Sequence, residues 1–301
     1  MDEIERFEPG MSGAIWYEHW HRYHFAAPLA TGRVVIDAAS GEGYGSALLG
    51  KHAARVIGID ASAQAVALAR RRYASASNVE FVEGRCEALP VAHASADLFV
   101  SFETLEHLES PRALVAEAAR VLRPQGLFIV STPNKALYSD ATGYRNPFHP
   151  SELYESEFVD VLHERFPAVT LLGQRVDAYS AIWPLAGPPD RAQLVQGVVD
   201  GAGEAMPGLP DPLYFIAFCA ASPAALAAFG TQFSLLADRE HRLAAQYAEA
   251  QARLGEMRAH AERIEGAYLA AQKQVATLRQ ERDALAAQLQ APGAGTWQKP
   301  R

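Results

Sequence analysis

The chain has 301 residues, of which 49% are hydrophobic, enough to build one α/β domain and a smaller segment beside it. Eight acidic and eight basic residues cancel between Asp238 and Gln290, so the formal net charge of −8 resides in the remainder. An acidic globular part argues against nucleic acid as a partner, because a polyanion is bound by basic surface.

Two cysteines, Cys86 and Cys219, do not suggest a disulfide framework or a metal site. The opening MDEIERFEPG is charged and lacks an apolar signal core. The most apolar run, Leu213 to Phe229, is broken by Ser222 and Pro223 and is too short to span a bilayer. No transmembrane segment and a cytoplasmic location are therefore expected.

The first patterned stretch is EHWHRYHFA, Glu18 to Ala26, with three histidines, Arg22 and Tyr23 at helical spacing. His19, His21 and His24 lack a matching cysteine or carboxylate pattern, so an amphipathic lid helix is expected there and no metal is assigned.

VVIDAASGEGYG follows, from Val34 to Gly45. Arg33 to Ile36 suits a buried parallel strand and Tyr44 to His52 a helix. Gly41, Gly43 and Gly45 then occupy the strand-to-helix turn where α/β sheets bind ligands, and glycine lets the backbone approach a nucleoside closely. A dinucleotide would fit such a turn too, but its G-x-G-x-x-G pattern needs a glycine where this chain has Ser46. Asp37 at the strand end would repel a pyrophosphate, yet it can hold the ammonium of a methionine moiety. That spacing favours S-adenosylmethionine (SAM) over a dinucleotide. The next buried run, RVIGIDAS, ends in Asp60 about 20 residues beyond Gly41, where a carboxylate can take both ribose hydroxyls. Asp60 alone would be an ordinary turn residue; the glycine loop gives it meaning.

Further elements alternate along the chain. Ser62 is the expected N-cap of a helix running to about Ala74, and Asn78 to Gly84 and Asp97 to Phe102 are the third and fourth strands. Ser110 and Pro111 open a helix whose buried face is Leu114, Val115, Ala118, Val121 and Leu122, and Pro124 to Gly126 stop it. Gly126 to Thr132 is the fifth strand, Glu152 to Phe166 a helix, Ala168 to Val176 the sixth strand and Leu213 to Ala220 the seventh. Between the last two, Ala186 to Pro212 reads as loop with one short helix. This alternation predicts a Rossmann-like, seven-stranded, mostly parallel sheet covered on both faces.

From Leu236 onward, apolar or small residues recur at spacings of four and three through Leu243, Tyr247, Ala250, Leu254, Met257, Ala261, Ile264, Tyr268, Ala271, Val275, Leu278, Leu285 and Leu289. Only Glu240 and Arg282 interrupt the seam, which predicts a coiled coil of roughly 80 Å over 231–290. A long helix folded back on its own domain is the alternative. The tail, 291–301, is expected to be disordered, and 1–230 to form the globular domain.

These residues resemble a class I SAM-dependent methyltransferase of the type 11 group that includes ubiquinone-type O-methyltransferases, over about 220 residues. EHWHRYHFA, SFETLEHL (Ser101 to Leu108), RVLRPQGLFIVSTPN (Arg120 to Asn134) and NPFHP (Asn146 to Pro150) are similar to methyltransferases of bacterial surface polysaccharide and O-antigen synthesis. The resemblance implies that Asp37, Gly41, Gly43 and Gly45 hold the methionine part of SAM, Asp60 the ribose, and Arg85, Cys86 and Glu87 the adenine. Arg85 departs from the acidic residue usual after that glycine, so Glu87 or a backbone carbonyl would serve instead. Arg22 and Tyr23 are candidates to contact the cofactor carboxylate or the acceptor.

The acceptor's proton needs a base if the acceptor is a sugar hydroxyl. Glu103, Glu106 and His107 follow the fourth strand, and His149 lies beyond the fifth. His149 and His107 are the leading candidates and Glu103 the third, with turn capping and loop positioning as the structural alternatives for the two histidines. A glycan or glycolipid acceptor is expected, a small metabolite or a non-catalytic scaffold being the alternatives. The coil would join copies of the chain or hold a protein partner, which could bring the protein to the inner face of the membrane.

Overall fold

The computed structural model describes residues 13–177, 195–196, 206–230, 233–236 and 241–290. It divides into two compact units, Met1–Ala237 and Asp238–Arg301.

The first unit is a seven-stranded sheet. Its strands are β1 (Val34–Ala38), β2 (Arg55–Asp60), β3 (Val79–Glu83), β4 (Ala96–Ser101), β5 (Leu122–Pro133), β6 (Ala168–Gln174) and β7 (Tyr214–Ala220), in the spatial order β3-β2-β1-β4-β5-β7-β6. The first five pair in parallel, and β7 runs antiparallel to both β5 and β6. The helices are α1 (Ala14–Ala26), α2 (Tyr44–Gly50), α3 (Ala63–Arg72), α4 (Pro111–Val121), α5 (Glu155–His163) and α6 (Pro223–Ala227).

Alternate side chains of each central strand feed two different cores, as a doubly covered sheet requires. Ile36, Ile59, Phe99 and Phe128 pack with Leu114, Val115 and Val121 of α4 and with Phe158 and Leu162 of α5. Their neighbours Val35, Val56, Leu98 and Leu127 face the other way, onto Leu48 and Leu49 of α2 and Tyr23, Phe25 and Ala26 of α1. Each fully buried large side chain contributes roughly 1.5–3 kcal/mol. The helix expected to be a lid is therefore a wall of the second core, because Tyr23, Phe25 and Ala26 are all buried in it.

Local chemistry explains most boundaries. Ser62 caps α3 by accepting a hydrogen bond from Ala65 N at 3.3 Å. Ser110 precedes Pro111 as expected, but its side chain makes no capping bond. Pro124 to Gly126 does not end a separate element; β5 begins at Leu122 and the pairing with β4 jumps from Ala96↔Leu122 to Leu98↔Leu127. The exposed residues Arg123, Pro124 and Gln125 are looped out of the ladder, so the turn chemistry appears as a bulge.

In the segment before β7, Val195–Gln196 pairs antiparallel with Met206–Pro207. The short helix expected between Ala186 and Pro212 lies outside the described residues, as does the tail 291–301. In the second unit a single helix, α7 (Arg242–Gln290), runs for 49 residues. Tyr247, Met257, Ile264, Tyr268, Leu278 and Leu285 on it are all more than half exposed. No helix among the described residues is long and apolar enough to cross a membrane.

Candidate active site

Strand order reverses direction at β1 and β4, and ligands of open α/β sheets bind outside the carboxyl ends of the strands at such a point. Asp37 near the end of β1, Asp60 at the end of β2 and Glu103 after β4 all fall on this edge.

Asp37 is fully buried. Tyr23 donates its hydroxyl to Oδ1 at 3.0 Å and Ser46 donates to Oδ2 at 2.6 Å. Burial pushes the Asp37 carboxyl up to about 7; the two hydroxyl donors pull it down and the charge of Asp60 pushes it further up. These two hydroxyls take up one acceptor position on each Asp37 oxygen. Ser46, which distinguishes this loop from the dinucleotide pattern, is needed to satisfy that buried carboxylate. Tyr23 explains Gly45 as well, since a Cβ there would lie 2.0 Å from the Tyr23 Cζ atom. Gly43 has φ +82, and a Cβ there would meet the Phe81 ring at 2.5 Å.

Asp60 is nearly buried and orders the turn on both sides. Its Oδ2 accepts from Gly41 N at 2.8 Å and its Oδ1 from Ser62 N at 2.9 Å. Gly84 N donates to the Asp60 carbonyl at 3.0 Å and so ties the next segment to the same strand end. There, exposed Arg85 pairs with Glu87 at 3.1 Å. Cys86 is buried between them, and burial, assisted by the charges of Asp60 and Glu87, pushes its thiol up to about 12. Cys86 and Cys219 are both free.

Arg22 of α1 is 1% exposed. Its Nε donates to Gln174 Oε1 at 2.7 Å, and its guanidinium lies 4.5 Å from the centroid of the Tyr214 ring. Nη2 stands 3.4 Å from Glu103 Oε1, but neither Nη1 nor Nη2 has a hydrogen-bond acceptor among the described residues. Gln174 is held in turn by the Glu18 carbonyl at 3.0 Å, and Tyr214 donates to Glu18 Oε2 at 3.0 Å. Burial raises the Glu18 carboxyl pKa, against the opposing charge of Arg22.

Past β4, Glu103 takes φ +51, a left-handed conformation that costs a non-glycine residue roughly 1–3 kcal/mol. Ser131 of β5 holds it there: Glu103 N donates to Ser131 Oγ at 3.1 Å, and that hydroxyl donates to Glu103 Oε1 at 2.7 Å. Glu106 is 1% exposed and accepts a hydrogen bond from Thr132 at 3.3 Å. Burial raises its pKa well above the usual range, and the charge of Glu103 adds to the rise.

His107 and His149 meet edge to face at 4.7 Å. His107 Nδ1 lies 2.9 Å from the Phe148 carbonyl, so that nitrogen carries the proton. His149 Nδ1 lies 2.9 Å from Glu152 Oε1, and Asn146 Nδ2 lies 3.0 Å from its Nε2. Ser139 donates to the other Glu152 oxygen.

Sequence spacing proposed Asp37, Asp60 and the glycines, which the fold brings to one edge of the sheet, and proposed Glu103, His107 and His149 singly. It could not show that the last three gather with Glu106 at one place. Ser131, Gln174, Tyr214, Asn146 and Glu152 were missed, since ordinary polar residues scattered over 80 positions carry no local signal. His19, His21 and His24 do not converge: His19 Nδ1 lies 3.1 Å from the Tyr44 hydroxyl, and His21 Nε2 lies 2.9 Å from Ser234 Oγ.

The sheet order and the glycine-lined edge are those of a class I methyltransferase fold. Residues 36–130 match the family model described as "Methyltransferase domain". The chain is 39% identical over 161 residues to a probable S-adenosylmethionine-dependent methyltransferase of Mycolicibacterium smegmatis, covering 52% of this chain and 62% of that protein. It is 40% identical over 149 residues to another of Mycobacterium tuberculosis, covering 49% and 53%. It is 35% identical over 107 residues to a ubiquinone biosynthesis O-methyltransferase of Cronobacter sakazakii, covering 35% and 44%. The chain spans less than two thirds of the length of each of these relatives. It carries a methyltransferase domain, and S-adenosylmethionine is the cofactor of that class of domain.

Proposed function

We propose that the chain is a SAM-dependent O-methyltransferase. The observation that carries this reading is Arg22, a buried guanidinium with two nitrogens lacking hydrogen-bond acceptors among the described residues, set among the acidic groups of Glu18 and Glu103. SAM bears one carboxylate beside two cationic centres, an ammonium and a sulfonium. One buried guanidinium among several carboxyl groups is the complement of that charge pattern.

In this reading Arg22 takes the cofactor's carboxylate. Asp60 takes the ribose hydroxyls through the oxygens that already order Gly41 and Ser62, and Gly41, Gly43 and Gly45 offer bare backbone to the methionine part. Asp37 braces the loop from behind, through Tyr23 and Ser46. Arg85, Cys86 and Glu87 border the adenine, with buried Cys86 as an apolar surface beneath it. The cofactor, when bound, supplies an electrophilic methyl group on its sulfonium.

The chain's own task is to align an acceptor oxygen and keep water away. Glu103, His107 and His149 stand where the acceptor's proton has to leave. The Phe148 carbonyl holds the Nδ1 proton of His107, and Glu152 orients His149.

A hydroxyl acceptor is supported by the O-methyltransferase named among the relatives. A glycan or glycolipid intermediate of surface polysaccharide synthesis is the first choice, on the four strings from Glu18 to Pro150. A small metabolite such as a quinone precursor is the second, on the name of that same relative. The exposed apolar residues of α7 support pairing with a second copy, or holding a protein partner that would bring the enzyme to the inner membrane face.

Calorimetry tests the donor assignment. Loss of a charge-assisted pair is worth about 1.5–3 kcal/mol, so Arg22→Ala weakens SAM binding roughly 10- to 100-fold. Unchanged affinity in a folded variant overturns the assignment. Mass spectrometry of surface glycan from a deletion strain tests the acceptor: a missing methyl group supports the glycan, and an intact methylation pattern rejects it.

A further inference from the structure

The sequence suggested no metal site, and the histidines that looked most like one do not converge. A different set does. Glu106, His107 and His149 each offer a ligand atom, and these atoms lie within 4.8 Å of one another. We propose that Glu106, His107 and His149 bind one divalent first-row transition-metal ion beside the methyl-transfer site.

The ligand set fits the ion's chemistry. Two imidazoles and one carboxylate are the donors of catalytic zinc centres and of facial-triad sites, which keep positions open for a substrate oxygen. Ligand bonds of about 2.0–2.2 Å place two donors no more than roughly 4.3 Å apart. Glu106 Oε1 and His107 Nε2 already stand 4.0 Å apart. The His149 ligand atom lies within 4.8 Å of both, so an ion draws the set together by a few tenths of an ångström at most.

The surroundings are prepared as well. Metal-bound histidines donate their other ring N–H to a carboxylate or a carbonyl, which fixes the tautomer and makes the ligand nitrogen more basic. Both histidines do so here, His107 to the Phe148 carbonyl and His149 to Glu152, itself held by Ser139. With Nδ1 so engaged, Nε2 is the ligand atom each imidazole offers in this proposal. Asn146 Nδ2 now donates to His149 Nε2, and the ion takes the place of that amide hydrogen. Glu106 is nearly fully buried, and the hydrogen bond it accepts from Thr132 is long, at 3.3 Å. A buried carboxylate so poorly solvated is compensated by a cation.

Only the use of the ion, not its binding, rests on the methyl-transfer reading. An acceptor hydroxyl coordinated at an open position loses its proton to water more readily and presents an anionic oxygen to the methyl group.

The test is titration of Zn²⁺ into the full chain after removal of metals by chelator, followed by calorimetry and by elemental analysis of the desalted protein. One ion per chain is expected to bind, and to be lost in Glu106→Gln and His149→Gln variants whose SAM affinity and melting temperature stay near those of the parent. Glu152→Gln, which touches no ion, lowers zinc affinity by about 10- to 100-fold through His149. Bound Co²⁺ gives visible absorption that changes in the same variants. Zinc stoichiometry unaltered by all three substitutions, or no binding by the parent, overturns the proposal while leaving SAM binding untouched. Loss of SAM binding with zinc retained would reject the donor assignment instead.

Discussion

Gly45→Ala is expected to destabilise the domain because of one side chain, Tyr23. An added Cβ would lie 2.0, 2.2 and 2.5 Å from three atoms of its ring, where ordinary carbon contacts are about 3.5–4.0 Å. The ring must therefore shift by roughly 1.5 Å. It has little freedom to do so: Tyr44 and Phe102 hold it edge to face at 5.2 and 5.0 Å, and its hydroxyl is bonded to buried Asp37. Overpacking costs about 1–3 kcal/mol and a weakened hydrogen bond to the buried Asp37 carboxyl about 1 kcal/mol more, so a total near 3 kcal/mol is expected. For a domain of this size that lowers Tm by roughly 6–12 °C. Thermal unfolding followed by circular dichroism reads the shift.

The same substitution in a Tyr23→Ala background reverses sign. With the ring gone, alanine in a helix is worth about 0.5–1 kcal/mol over glycine. A destabilisation by Gly45→Ala that is equal in both backgrounds would refute the reasoning, since the two positions would then be uncoupled.

Three further outcomes follow from the same geometry. Asp37 holds its proton up to about pH 7 in the folded protein, against an ordinary value of 3.8, so the native state binds the extra proton between these limits. Its contribution to stability is full below about pH 4 and falls by up to about 4 kcal/mol as pH rises through 7. Urea unfolding of Asp37→Asn should show a flatter profile over that range than the parent, and identical slopes would exclude the raised pKa. His107→Gln should lower kcat for methyl transfer about 100-fold or more while SAM affinity stays within error, and equal loss of both would move His107 to the donor side. In α7, Ile264→Glu with Leu278→Glu should shift the mass in light scattering from oligomer to monomer, whereas a parent chain that is already monomeric would reject the coil as a joint.

The parts legible in the sequence are those in which chain neighbours do the work. Asp37, the three glycines and Asp60 belong to two consecutive strand-to-turn junctions, and their spacing carries the backbone geometry directly. The alternating pattern likewise gave seven strands in nearly correct places. What failed was local reading of non-local need. Pro124 to Gly126 carried turn residues, but β4 pairs on both sides of them and turns a stop into a bulge. EHWHRYHFA read as a lid because its polar residues are conspicuous, yet Tyr23, Phe25 and Ala26 anchor it in the core. Nothing near Asp37 in sequence shows that Tyr23, fourteen residues earlier, and Ser46 donate to its oxygens. Glu106, His107 and His149 meet only because the loop after β5 folds back on the turn after β4, a contact that no spacing records.

Calorimetric titration of SAM into the full chain tests the central claim most directly. One cofactor per chain is expected to bind, with affinity reduced at least tenfold in Asp60→Ala, where the ribose contact and the Gly41 anchor are lost together. Absence of any heat or thermal shift with SAM and with its demethylated product, in protein shown to be folded, would contradict it.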